Sequence, residues 1–484
     1  MTTPYEATQL AWSATAGLSQ LPSKYTAQQP QNIPELLMPA TGQPEWWRDR
    51  LYKKIVARRP YIQFMDDYYS GNHPLPWLPA QARDEFRRIL SMTRSNYMGL
   101  VCDAQVERMS VQGFRIGDTA EADKATWRIF QANNMDSDLD QGFLEAAKCG
   151  FAYLMVGPNP KDQSTPRLSV EHPLQTIVEC EPGDRRTRAA ALKTWVDDWT
   201  GEVVARLYLP KAVFGWRGKL SNTNKPQWRP DGVTPNPVGE VPITELLNNP
   251  QLLGGGRSEL YDLTDIQDRV NKTIADRLIT QDFGAFPQKW AKGFPDLKAD
   301  GTPNTIDIGR NRMVTSDVKE TEFGQWSAAP LDPYSAGKRE DVKDIASRSR
   351  TPAQYLLGEM SNVNGETLKA SESGLISKVR QRFRGHEDGI EDAARMARRL
   401  AGIASPEDVS METIWRDPQY RTEGEVTDAA IKRYQAGVAT LRQTREDCGY
   451  SQAVIARMEA DDKVGDPQLE RLSRQFVDMT GGAA

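Results

Sequence analysis

Gly254-Gly255-Gly256-Arg257-Ser258-Glu259-Leu260, running on through Ile266 and Val270 to Leu278, reads as a joint followed by one long helix. Ser258 offers an N-cap oxygen, and Glu259 in the first turn suits the positive end of the helix dipole. Leu260, Leu263, Ile266, Val270, Ile274 and Leu278 recur at three or four residues and form one apolar stripe. Asp265 with Arg269, and Asp268 with Lys272, are spaced for i,i+4 pairing, whereas Asp262 and Asp276 have no such partner. At about 1.5 Å per residue the span is about 30 Å, the length of a strut. The glycine run lacks the Gly-Lys-Ser/Thr ending of a phosphate loop and follows no Val/Ile-rich strand, so it does not point to nucleotide binding.

Downstream, residues 284–333 are broken by Phe286-Pro287, Gly293, Phe294-Pro295, Gly301 and Pro303, with strand-like Thr305–Ile308 and Met313-Val314. A second helix is expected from Tyr334 to Arg350, because Pro352 disfavours helical geometry just before it. Two helices thus bracket an insertion. A short helix from Pro352 to Leu357 should end at Gly358, ahead of the polar loop Glu359-Met360-Ser361-Asn362-Val363-Asn364-Gly365. From Glu366, Leu375, Val379, Phe383, Ile390, Ala394 and Ala397 mark a helix of about 50 Å, with Gly374, Gly385 and Gly389 where bending is expected. A strand at Met411–Trp415 and a helical tail from Glu425, divided at Gly449 and Gly465, complete the chain.

Upstream, residues 1–44 are rich in Pro, Gln, Thr and Ala and read as an extended arm. Helical periodicity over Glu45–Asn134 is interrupted by the turn-rich Tyr68-Tyr69-Ser70-Gly71-Asn72-His73-Pro74-Leu75. The period then changes towards two, at Phe151–Val156, Leu168–Val170, Ala191–Val196 and Val203–Tyr208, with a hairpin signal across Asp197–Glu202. The fold class is therefore α+β.

The chemistry-bearing residues are sparse. At 484 residues with 38% hydrophobic and 26% charged, the chain can build more than one domain and remain soluble. No apolar run is long enough to span a bilayer, and the start lacks a secretory signal, so membrane and export are not expected. Cys102, Cys149, Cys180 and Cys448 have neither disulfide nor zinc spacing. His73, His172 and His386 are isolated, with His73 read as a turn residue, so no metal, cofactor or catalytic set is expected. The net charge of -5 argues against a tight clamp on nucleic acid. Lys378 and Arg382, with Arg380, Arg384, Arg395, Arg398 and Arg399, alternate with Glu387, Asp388, Glu391 and Asp392, which fits either a DNA surface or intersubunit ion pairs.

Three stretches resemble the portal proteins at the head-to-tail vertex of tailed bacteriophages of siphophage type. They are Tyr68–Leu75, the run Gly239-Glu240-Val241-Pro242 through Gly256–Leu260 to Asp268-Arg269-Val270-Asn271-Lys272, and Pro352-Ala353-Gln354-Tyr355-Leu356-Leu357-Gly358. The resemblance implies a twelve-subunit ring around a DNA channel at one capsid vertex, assembled in the host cytoplasm. It divides the chain into a wing (45–257), stem helix 1 (258–283), clip (284–333), stem helix 2 (334–351), tunnel loop (352–365), a long bent wing helix (366–402), a wing return strand (403–420) and a helical crown (421–484). It puts Ser361, Asn362, Val363 and Asn364 against DNA, and Asp262, Asp265, Arg269, Lys272 and Asp276 on the channel side of the stem or at an intersubunit face. Lys289, Trp290, Arg310 and Arg312 would meet the tail adaptor, and Lys378 and Arg382 a neighbouring subunit or DNA. Implied partners are other copies of the chain, non-specific double-stranded DNA, the terminase large subunit, a head-tail adaptor, the major capsid protein and a scaffold protein. A cytoplasmic scaffold or adaptor, or a nucleic-acid-processing enzyme, are the alternatives.

Overall fold

The computed structural model describes residues 41–78, 86–117, 122–220, 226–252, 255–285, 289–293, 320–325, 327–358, 365–419, 423–450 and 452–464. In order, the first half carries α1 (Pro44–Tyr69), α2 (Arg87–Ser91), α3 (Met98–Val106), β1 (Val111–Arg115), α4 (Lys124–Ala132) and α5 (Met135–Cys149). Strands β2 (Phe151–Gly157), β3 (Arg167–Glu171), β4 (Thr176–Glu181), β5 (Asp184–Asp197), β6 (Glu202–Tyr208), β7 (Ala212–Leu220), β8 (Pro226–Pro235) and β9 (Ile243–Leu247) follow. Then come α6 (Thr264–Ala285), β10 (Lys289–Lys292), β11 (Glu322–Gln325), α7 (Asp332–Ser349), α8 (Ala353–Leu357), α9 (Gly365–Leu400), β12 (Glu412–Trp415), α10 (Glu423–Gln435), α11 (Leu441–Asp447) and α12 (Gln452–Val464). The chain forms two compact units, one from Met1–Asp66, Cys102–Glu259 and Lys369–Ala484, the other from Asp67–Val101 and Leu260–Leu368.

In the first unit an antiparallel sheet of order β4-β5-β6-β7-β8 turns Ile177, Ala190, Leu192, Ala205, Leu207 and Trp216 towards Leu51 and Ile55 of α1. Alternation along β5 and β6 places these residues on one face, as period two requires. The expected hairpin is present: Asp197 pairs with Glu202, and Gly201 takes the left-handed conformation that its turn needs. A second antiparallel sheet, β3-β2-β9, has β2 at its centre, with Ala152, Tyr153, Leu154 and Val156 buried. Helix α5 packs on it at Gly142, where an added Cβ would lie 3.1 Å from both Leu246 and Val170. Strand β12 returns to pair with β1 across Val111–Arg115.

Helix α9 is continuous over 36 residues, so Gly385 and Gly389 do not interrupt it. They serve close packing. A Cβ on Gly385 would overlap the Leu247 carbonyl oxygen and one on Gly389 the Glu245 carbonyl oxygen, both in β9, and Thr244 Oγ1 donates to Gly389 O at 2.8 Å. On the same helix Phe383 stacks on Trp415 at 4.2 Å, and His386 lies 5.0 Å from Phe143. Among the described residues the tail holds three helices, with breaks at Gly437 and at the expected Gly449, both at positive φ. Gly465 lies outside the described residues.

In the second unit α6 and α7 run antiparallel. Arg269 faces Asp344, Thr273 faces Asp341 and Gly337, and Thr280 faces Tyr334, so numbers fall on one helix as they rise on the other. Helix α6 begins at Thr264 and not at Ser258. Glu259 N–H donates to Ala147 O and Leu263 N–H to Leu260 O, so the chain is still held in turns before the helix can start, and Ser258 is buried 3.7 Å from Met65 Sδ rather than capping. At the other end α6 continues to Ala285, past the expected Leu278. Ala275 packs with Leu78, Phe86 and Leu90. Helix α7 ends at Ser349, with Arg350 after it in a left-handed conformation before Pro352, and α8 is closed by Gly358 as its sequence requires.

Candidate functional site

The solvent-facing side of the α6–α7 pair carries most of the residues singled out as a channel or intersubunit face. Asp262 and Asp265 are exposed, Asp262 just before the helix. Arg269, expected to pair within its own helix, reaches across to Asp341 (3.2 Å) and Asp344 (2.8 Å) of α7. Lys272 pairs with Asp276, four residues on, and not with Asp268, so Asp276 has the i,i+4 partner that it was expected to lack. The pairing differs because Asp268 points the other way. These residues hold five carboxylates and two bases, but α7 also carries exposed Arg339, Lys343 and Arg348, so the helix pair is of mixed charge, and its exposed ion pairs each contribute about 0–1 kcal/mol.

Asp268 is half-buried and accepts from Tyr68 O–H at 2.9 Å. Beside it runs a polar spine that an apolar-stripe reading could not reveal: Gln267 and Asn271 are buried on α6. Gln267 Nε2 donates to Ser95 O at 2.6 Å, its Oε1 accepts from Tyr97 N–H, and Asn271 Oδ1 accepts from Ser95 N–H. His73 is fully buried, 3.1 Å through Nε2 from Tyr68 O and 3.2 Å through Nδ1 from the Asn271 amide. A carbonyl can only accept, so Nε2 carries the proton and Nδ1 accepts. His73 is thus a lock within this unit rather than a turn residue.

Burial pushes the Asp268 carboxyl up to about 6, against the favourable Tyr68 hydrogen bond. In an unfolded chain an aspartate titrates near 3.9. The folded state therefore holds its proton longer, and stability from the neutral form is fully present below about pH 4 and lost as pH rises through about 6. Asp268→Asn, which keeps the shape without the charge, is expected to raise the melting temperature at pH 8 and leave it nearly unchanged at pH 4; equal shifts at both would contradict this.

Lys378 and Arg382, expected on a DNA or intersubunit surface, are buried. Lys378 Nζ lies 3.5 Å and Arg382 Nε 2.6 Å from the Glu259 carboxylate, which also accepts from Asn248 Nδ2 at 2.9 Å. Burial by itself would raise the Glu259 carboxyl, but the two cations outweigh it and hold it at about 2. Helical period explains the error: on α9 the side chains at 378 and 382 turn inward while Ser373, Ser377, Arg380 and Arg384 turn out. Arg380 reaches Asp417 at 3.2 Å. Glu259 could have been found from its position beside a helix start, but its long-range partners could not.

Among the adaptor candidates, the Trp290 indole lies across Gly324 of β11 and remains 40% exposed, and Lys289 begins β10. Arg310 and Arg312 lie outside the described residues, as do Ser361, Asn362, Val363, Asn364 and the strands expected at Thr305–Ile308 and Met313-Val314. Among the described residues no cluster of His, Cys, Asp and Glu could hold a metal ion, and no helix is long and apolar enough to cross a membrane.

Residues 49–463 match the family described as phage portal protein, SPP1 Gp6-like. The chain belongs to this portal family. Relatives include the portal protein of Mycobacterium phage D29, 31% identical over 422 residues that cover 84% of this chain and 85% of the relative. The portal protein of Mycobacterium phage L5 is 30% identical over 408 residues, covering 79% and 81%. Among solved structures, the neck of an empty GTA particle computed with C6 symmetry aligns with a TM-score of 0.43 at 13% identity, over 78% of this chain and 95% of that one. The portal chain is a structural component of the phage head vertex and not an enzyme.

Proposed function

We propose that copies of this portal chain close into a twelve-membered ring whose axial channel carries double-stranded DNA into the capsid and out again. The observation that carries the reading is the family match across residues 49–463. A head-to-tail contact makes a ring only if its rotation closes, and small contacts then add up around the circle. In this reading α6 and α7 form the stem, and the segment between them is the clip that docks the terminase large subunit and later a head-tail adaptor. The first unit supplies wing and crown, towards the major capsid protein and scaffold, with assembly in the host cytoplasm. The exposed carboxylates Asp262 and Asp265 at the start of α6 support a channel or intersubunit role, since phosphate is retained by Lys and Arg and each retained contact resists sliding.

Residues Ser361, Asn362, Val363 and Asn364 would meet DNA at the narrowest point, with no cation among them. Asn362→Lys with Asn364→Lys is expected to slow DNA translocation in a packaging assay, more at low salt than at high, because screening shortens the reach of the added charges. Unchanged packaging and ejection would remove this loop from the channel.

A further inference from the structure

On α9 the four bases at 378, 380, 382 and 384 divide by helical period. Lys378 and Arg382 turn into the first unit and meet Glu259. Arg380 and Arg384 turn out, into a groove lined also by Ser377, Gln381 and Gln419 among others. Ile376 is the one apolar residue in that lining, and it is buried. Ser377, Arg380, Gln381 and Arg384 are all exposed and lie within about 100° of one another around the helix. Arg380 reaches Asp417 in a pair whose side chains are both about half exposed. Such a pair contributes about 0–1 kcal/mol and leaves most of the five guanidinium donors open. Arg384 forms no ion pair among the described residues. The next acidic residues along the helix are Glu387, which accepts from Trp415 Nε1, and Asp388.

We propose that this groove binds the phosphate oxygens of a DNA backbone. The lining decides the ligand. A protein partner needs an apolar, often aromatic centre at its contact, and this groove offers one buried isoleucine. Guanidinium, hydroxyl and amide donors in a row match a phosphodiester, which only accepts and carries charge, and they hold it without regard to base sequence. From Ser377 to Arg384 the donors span about 10 Å at about 1.5 Å per residue. That is about three nucleotides of one strand at about 3.4 Å each, which suits a stretch of backbone better than a single free phosphate. Two cations per chain give a weak hold, in keeping with the net charge of -5 and with DNA that must slide. The proposal rests on the conduit reading only for DNA as the carrier of the phosphate.

The test irradiates the unassembled full chain at low salt with a DNA duplex that carries azidophenacyl groups on its phosphates, and maps the adducts by mass spectrometry. The expected result is adducts within residues 377–384, with a yield at sub-saturating protein that falls about tenfold in Arg384→Gln, the loss of one charge-assisted contact. Both arginines are exposed, so circular dichroism should show an unaltered fold in Arg384→Gln and in the double variant with Arg380→Gln. Lys432→Gln, a surface cation outside the groove, should leave the yield unchanged. Binding of the same duplex followed by fluorescence anisotropy across a salt series gives a second readout. Each neutralised phosphate contributes about 0.9 to the slope of log affinity against log salt, so the double variant should lose about 1.8 of it. Inorganic phosphate at matched ionic strength should lower the adduct yield less than about twofold, since a single ion engages only part of the row. Adducts only elsewhere, a yield indifferent to Arg384, an unchanged salt slope, or adducts abolished by inorganic phosphate would each overturn the proposal. Because the chain is unassembled, such a failure leaves the ring and its channel standing.

Discussion

Glu259→Ala is expected to destabilise the first unit by about 3–5 kcal/mol, because it leaves two buried cations without their counter-ion. Lys378 is 3% and Arg382 6% exposed, so neither can turn to water without moving α9. The cost comes chiefly from the stranded charges and only secondarily from the lost attraction, which makes a surface pair the right control. Asp276→Ala, which frees the half-exposed Lys272, should cost no more than about 1 kcal/mol. Denaturant midpoints of the unassembled protein measure both. The acid limb of the stability curve gives a second readout. The Glu259 carboxyl is held at about 2 in the folded state, against about 4.3 in an unfolded chain. Its contribution is therefore present above about pH 4.3 and lost as pH falls towards 2, and that part of the slope should vanish in Glu259→Ala. A destabilisation below about 1 kcal/mol would mean that Lys378 and Arg382 find water or another partner.

Gly389→Ala is expected to cost about 3 kcal/mol, at the upper end for overpacking, although alanine is intrinsically the better helix former by about 1 kcal/mol. The obstacle is the Glu245 carbonyl oxygen of β9, which is backbone and cannot rotate aside. Relief requires α9 and β9 to separate, which would also break the Thr244 Oγ1 bond to Gly389 O and loosen the contact of Phe383 and His386 with Trp415 and Phe143. Gly157→Ala is the control, since a Cβ there meets nothing within 4 Å. It should change stability by no more than about 0.5 kcal/mol. Equal midpoints for the two variants would show that the helix and strand are not in the contact described.

These two residues also mark how far the sequence could be read. Local signals were reliable: the 3.6-residue stripe identified α6, Gly358 and Pro352 bounded α8, and Asp197–Glu202 gave a hairpin with its pairs in place. What failed was long-range. Ser258 and Glu259 satisfy every local rule for a helix start, yet backbone bonds to Ala147 and a carboxylate drawn to Lys378 and Arg382 hold them outside the helix. Gly385 and Gly389, read in one dimension as expected bend points, are also contact points with β9 in three. Charge alternation on α9 suggested a surface, but two of the four bases at 378–384 point inward. The polar spine Gln267–Asn271–His73 was invisible because polar residues on a helix read as solvent-facing until their buried partners are known. The family resemblance rested on the order of motifs, a property of the whole chain that does not depend on where any one side chain points.

Electron microscopy of the purified chain, alone and with capsid and scaffold proteins, tests the central claim most directly. The account predicts closed rings with an axial hole wide enough for double-stranded DNA, twelve-fold in assembled heads. Particles that remain globular monomers under every assembly condition, or that form rings with no through-going channel, would contradict it.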